Sequence, residues 1–95
     1  MEIREFQSII RKIYYHRDSK RGGRRIYERL REELDELGEA LEMKGSEEIG
    51  GEAADVMAWL ASLANVAGVD LEQVALKKYN GKCPECEKER CRCPF

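Results

Sequence analysis

The chain has 95 residues, with 17 Lys and Arg against 19 Asp and Glu, a formal charge of −2, and 42% apolar and 38% charged side chains. That length excludes more than one domain and allows only a thin core, which favours self-association. The near-neutral total argues against a general nucleic-acid surface, but it hides an asymmetry: the chain is basic from Arg11 to Arg31 and acidic from Glu32 to Asp55, where Lys44 is the only cation.

The opening Met1-Glu2-Ile3-Arg4-Glu5 is charged and no apolar signal region follows, so a cytoplasmic location is expected. A first helix is predicted from Ile3 to His16 by the spacing of Phe6, Ile9, Ile10 and Ile13, and Arg17 to Gly23 reads as a polar, glycine-ended loop. A second helix runs from Arg24 to Met43 on the stripe Ile26, Leu30, Leu34, Leu37 and Leu41, and ends at Gly45 and Ser46. A third starts near Glu47, with Ser46 as N-cap, and reaches Ala67 before Gly68. Its apolar stripe is Ile49, Val56, Trp59, Leu60, Leu63 and Ala67. Within it, Gly50 and Gly51 mark a close backbone approach, a bulge, or a later helix start.

The stretch from Ala53 to Val69 contains Asp55 and Asn65 and is too short and polar to span a bilayer, so no membrane partner is expected. Asp70-x-x-Gln73 resembles a capping box for a fourth helix that reaches Asn80 before Gly81. No strand-like alternation or internal repeat is present. The expected fold is therefore all-α, a four-helix bundle-type domain over residues 1–82, followed by a cysteine-rich tail over 83–95.

Two acidic pairs stand out. Spacings of three put Glu33 with Glu36, and Glu52 with Asp55, on common helix faces. Glu33 and Glu36 lie along one edge of the second helix's stripe, Glu52 within the arc of Val56, Trp59 and Leu63, and Asp55 at its margin, so the four carboxylates are expected to converge on the seam between helices two and three. Carboxylates gathered out of water repel one another unless a cation lies between them, and Mg2+, which takes oxygen ligands, suits the set. The alternative is a solvated face whose acids pair with Arg29 and Arg31. A di-iron carboxylate bundle would require Glu-x-x-His motifs, and the only histidine, His16, lies in none.

Glu32-Glu33-Leu34-Asp35-Glu36, followed by Glu52-Ala53-Ala54-Asp55, resembles the EExxE…ExxD signature of the MazG-like all-α nucleoside triphosphate pyrophosphohydrolases. Leu37-Gly38-Glu39-Ala40 after the first motif, Val56 to Leu60 after the second, and Gly68-Val69-Asp70-Leu71-Glu72 before the last helix are similar as well, so the likeness covers about residues 3 to 82. The resemblance implies hydrolysis of a nucleoside triphosphate, NTP or dNTP, to monophosphate and pyrophosphate. By matching positions it implies Mg2+ held by Glu33, Glu36, Glu52 and Asp55, with Glu32 supporting the site or orienting the attacking water. It also implies phosphate contacts from Lys78 and from Lys82, although Asn or Arg is usual at the second position; both lysines equally suit a helix C-terminus.

Arg17, Lys20, Arg21 and Arg24 could reach a triphosphate or base from the expected loop, or simply be solvated. Trp59, Tyr14, Tyr15 and Phe6 could stack on a base or belong to the core. A homo-oligomer, dimer or tetramer, is expected from the thin core.

The tail carries Cys83-Pro84-Glu85-Cys86 and Cys91-Arg92-Cys93. In a cytosolic chain such crowding points to metal ligands, and four thiolates suit a structural Zn2+ in a knuckle-like turn. Lys82, Lys88, Arg90 and Arg92 would offset the excess negative charge. A redox dithiol pair or a rubredoxin-type iron site are the other readings. For the whole chain the alternative to an enzyme is a zinc-tailed helical module that docks a protein or nucleic acid.

Overall fold

The computed structural model describes residues 2–43 and 45–94. Among the described residues there are three helices and no strand: α1 (Ile3–Met43), α2 (Ser46–Ala67) and α3 (Leu71–Lys78). The fold is all-α, as expected, but the four separate helices become three. The loop expected from Arg17 to Gly23 is helical except at Gly22, where φ 80° and ψ 161° break α1 into two runs. Arg and Lys are good helix formers, and the Asp18–Arg21 ion pair at i,i+3 further favours helix there.

A side chain at Gly22 would meet nothing within 4 Å, so its backbone angles, and not lack of room, reserve the position for glycine. The break allows both runs of α1 to meet α2. Gln7 of the first run bonds Asn65, while a Cβ at Gly23, starting the second, would lie 3.7 Å from Leu63.

The other boundaries follow local chemistry. Gly45, and not the expected Ser46, occupies the N-cap of α2, with no side-chain bond. Gly50 and Gly51 lie inside α2, and Cβ atoms built on them meet nothing within 4 Å, so the helix neither starts late nor admits a close neighbour there. Gly68 ends α2 in the left-handed region at φ 72°. The Val69 N–H then bonds the Ala64 carbonyl at 2.9 Å, satisfying one of the last open acceptors. Asp70 caps α3 as the sequence indicated, its carboxylate accepting from the Gln73 N–H at 3.2 Å. That helix ends at Lys78, two residues before Asn80.

The apolar core is small: Ile10, Ile26, Ala40, Ala61 and Ala64 are buried. The predicted stripes are correspondingly displaced. Leu34 and Leu41 are exposed, and the buried face of the second run follows Ile26, Glu33 and Ala40, one residue round the helix. Ile9 and Ile13 are exposed likewise. The apolar arcs are wider than one neighbouring helix can cover.

Polar closure compensates in part. The Gln7 amide donates to Asn65 Oδ1 at 3.0 Å and the Val69 carbonyl at 2.7 Å, and accepts from the Leu71 N–H at 2.9 Å. This buried side chain ties the first turn of α1 to the α2–α3 corner with all three bonds made. Outside it, Arg4 pairs with Asp70 and Glu72, each at 2.9 Å. No single helix among the described residues is long and apolar enough to cross a membrane; only α2 and α3 together, across a 101° bend, reach that composition.

Candidate functional site

The second run of α1 places Glu33 and Glu36 one turn apart, and α2 brings Glu52 opposite them. One carboxylate oxygen from each of these three lies within 4.8 Å of the others. Glu33 is buried, Glu52 half-buried and Glu36 exposed, so the cluster runs from the interior to solvent. A hydrogen bond with Glu36, burial, and the charges of Glu36 and Asp55 push the Glu33 carboxyl up to about 7, against a smaller opposing effect of Arg29. Glu52 Oε2 is buried without a hydrogen-bond partner. A buried acceptor without a donor, beside a carboxyl whose neighbours favour its protonated form, marks a place that suits a cation.

Asp55, the fourth expected ligand, is exposed and lies outside that close trio, yet near enough for its charge to act on Glu33. Glu32 turns towards the basic side, where it accepts from Arg29 Nη1 at 3.0 Å. The same guanidinium reaches Glu33 at 3.8 Å. Arg29 therefore bridges the two neighbouring acids.

The expected phosphate contacts are less collected. Lys78 and Lys82 are exposed at and beyond the end of α3, and no ion pair among the described residues joins either to the acids. Arg17 is exposed, and Arg24 lies over the Tyr27 ring at 5.4 Å. Arg25, Glu28, Arg29 and Glu32 instead form with Arg21 a shallow charged recess beside the acidic cluster. Trp59 is half-buried, with the guanidinium groups of Arg21 and Arg29 at 5.4 and 5.2 Å from its ring centroid. Sequence reading passed over Asp18, which is fully buried. Its only signal was an acid within the basic run, three residues before an arginine.

In the tail, one sulfur from each of Cys83, Cys86, Cys91 and Cys93 lies within 4.8 Å of the others. The Glu87 N–H bonds the Cys83 carbonyl at 2.8 Å, the Cys83 N–H bonds the Lys88 carbonyl at 2.9 Å, and Glu87 takes a positive φ of 59°. That tight turn aims the sulfurs inward. Backbone N–H groups of Arg92 and Lys88 lower the Cys86 thiol to about 6, whereas hydrogen bonds that the Cys93 thiol donates to Cys91, Cys86 and Cys83 raise it to about 12. Sulfurs at the corners of a zinc tetrahedron, about 2.3 Å from the ion, lie about 3.8 Å apart. Cys83 and Cys93 already stand 3.8 Å apart.

Fold and cluster together define an all-α protein whose acids meet across a helix seam. The chain belongs to the MazG nucleotide pyrophosphohydrolase domain family, whose model matches residues 21–87. The match spans the acidic cluster, Trp59, Lys78, Lys82 and the first two cysteines. Comparison with curated proteins gave no match, and comparison with solved structures gave none. Membership supports nucleotide pyrophosphohydrolase activity in general terms.

Proposed function

We propose that this protein hydrolyses nucleoside triphosphates, NTP or dNTP, to the monophosphate and pyrophosphate in a Mg2+-dependent reaction that clears unwanted nucleotides. The observation that carries the reading is the convergence of Glu33, Glu36 and Glu52 on one point, with a buried Glu52 oxygen that no donor reaches. Glu33, Glu36, Glu52 and Asp55 would hold Mg2+, which when bound neutralises phosphate charge and makes a water nucleophilic near neutral pH. Glu36 and Asp55, the exposed members, face the side from which a substrate arrives.

Arg29 holds Glu32 and steadies Glu33, and Glu32 positions the attacking water through this arrangement. Water adds its oxygen to the α phosphorus and gives up a proton to solvent, the bond from that phosphorus to the α–β bridging oxygen breaks, and pyrophosphate leaves with that oxygen and the bond's electrons. Arg17, Arg24, Lys78 and Lys82 supply positive charge to the triphosphate, and Trp59 stands towards the base.

The helical unit over 1–82 carries this chemistry. The tail over 83–95 is a structural knuckle whose four thiolates hold Zn2+, supported by the sulfur cluster and by nearby Lys82, Lys88, Arg90 and Arg92. The broad apolar exposure supports a homo-oligomer, dimer or tetramer.

The test is 31P NMR of the purified protein with a panel of NTPs and dNTPs, with and without Mg2+. Monophosphate plus pyrophosphate only with Mg2+ is the expected outcome. Orthophosphate plus diphosphate would reject α–β cleavage, and no turnover across the panel would favour the zinc-tailed interaction module.

A further inference from the structure

A second buried carboxylate lies apart from the close acidic trio. Asp18, in the first run of α1, has no exposed side-chain surface. Arg21 Nη1 donates to its Oδ1 at 3.0 Å, while Oδ2 is buried with no hydrogen-bond partner. A carboxylate oxygen removed from water with nothing donating to it is costly, so its retention calls for a donor from outside the chain.

Asp18 borders a cavity of about 130 Å3 that is also lined by Tyr14, Arg21, Asp55, Trp59 and Ser62. Two aromatic side chains offer apolar walls, and the carboxylate, guanidinium and hydroxyl offer polar partners. That combination suits a flat heteroaromatic ring with hydrogen-bonding groups on its edge. Asp55 belongs to both this cavity and the acidic seam, so a ring lodged here continues directly towards the carboxylates. The Arg21 side chain is 32% exposed, so the cavity is open to solvent on that side. Asp18 is paired with the Arg21 guanidinium and lies outside the close Glu33–Glu36–Glu52 trio, which separates this end of the cavity from the cation cluster.

We infer that the cavity receives the base of the nucleotide, and that Asp18 Oδ2 accepts a hydrogen bond from an exocyclic amino group on the base's pairing edge. The inference rests on the nucleotide reading above and adds a substrate class to it: amino-bearing bases are selected over oxo-bearing ones. Cytosine and adenine present N–H2 where uracil and hypoxanthine present a carbonyl oxygen. A carbonyl placed against Oδ2 would oppose two acceptors with no proton between them. Arg21, beside the same carboxylate, donates to the ring acceptor next to the amino group. Tyr14 and Asp18 precede residues 21–87, the part matched by the family, so this selectivity belongs to the chain's own N-terminal run.

Trp59 is the only tryptophan and lines the cavity, so its fluorescence reports occupancy without any turnover. The full chain, free of added Mg2+, is titrated with cytidine against uridine and with adenosine against inosine. The amino member of at least one pair is expected to bind at least about tenfold more tightly. In Asp18→Asn, whose amide can present N–H2 at the Oδ2 position, that preference is expected to vanish or reverse.

The proposal is overturned if neither amino nucleoside is preferred, if no nucleoside perturbs Trp59, or if folded D18N keeps the wild-type preference. Should D18N not fold, the two wild-type pairs decide. Amino-selective nucleoside binding with no triphosphate hydrolysed would sustain this cavity and overturn the enzyme reading instead.

Discussion

The acidic seam and the cysteine tail both gather metal-ligating side chains, but they are held in opposite ways. Glu33 and Glu52 are brought together by two helices packed along their length, and residues as distant as Gln7 and Asn65 brace the same pairing. The described residues of the tail form no helix and are organised by short-range bonds between Cys83, Glu87 and Lys88. In the seam, the fold imposes carboxylate proximity, and protonation relieves it when no cation is present. In the tail, ligation itself would supply the folding energy. On the proposed reading a metal would complete the seam's chemistry, whereas in the tail it would make the structure.

The largest effect that would sharpen this contrast is catalytic. Glu36→Gln removes an exposed charge from the cluster without opening the core. Mg2+-dependent turnover is expected to fall by at least about a hundredfold, while circular dichroism stays unchanged. Substantial turnover in that variant would remove Glu36 from the metal set.

Next comes Gly22→Ala, which forces a β-carbon into φ 80° and ψ 161°. A loss of about 1–3 kcal/mol in urea unfolding is expected. An unchanged midpoint would mean that α1 can run straight and that the pairing with α2 does not need its break.

A gentler probe is pH. Glu33 holds its proton up to about 7 in the native protein, against 4.5 ordinarily. Between those values the native state binds the proton that the unfolded chain has released, so metal-free stability should decline as pH rises through this window and level off above it. Added Mg2+ should flatten or reverse the slope, because it favours the ionised carboxylates. Denaturant titrations at pH 5, 6 and 8 measure both effects.

The smallest effect on the helical body should come from the tail. Cys91→Ser, or a strong chelator, is expected to make the last residues protease-sensitive and to shift the helical melting temperature by no more than about 2 °C. A large shift would show that the two regions are one cooperative unit.

Much of this arrangement was legible because helices write their faces at short range. The approach of Glu33, Glu36 and Glu52 could be placed from their spacing, although Asp55 stays outside the close trio, and the caps at Gly68 and Asp70 from single residues. The gathered sulfurs were readable from their crowding. The loop expected at Arg17 to Gly23 was misplaced because two glycines look alike in sequence, while only Gly22 takes backbone angles that other residues avoid. The stripe through Leu34 and Leu41 was displaced because periodicity tells which residues share a face, not how much of it a neighbour covers. The role of Asp18 was hidden for a different reason: its cavity is completed by Trp59 and Ser62, some forty positions away.

The uncovered Ile9, Ile13, Leu34, Leu41, Met57 and Leu60 carry a practical consequence. If copies of the chain shield these side chains from one another, dilution becomes a denaturant. The melting midpoint would then climb with protein concentration, and a turnover number measured at nanomolar enzyme would understate the one at micromolar.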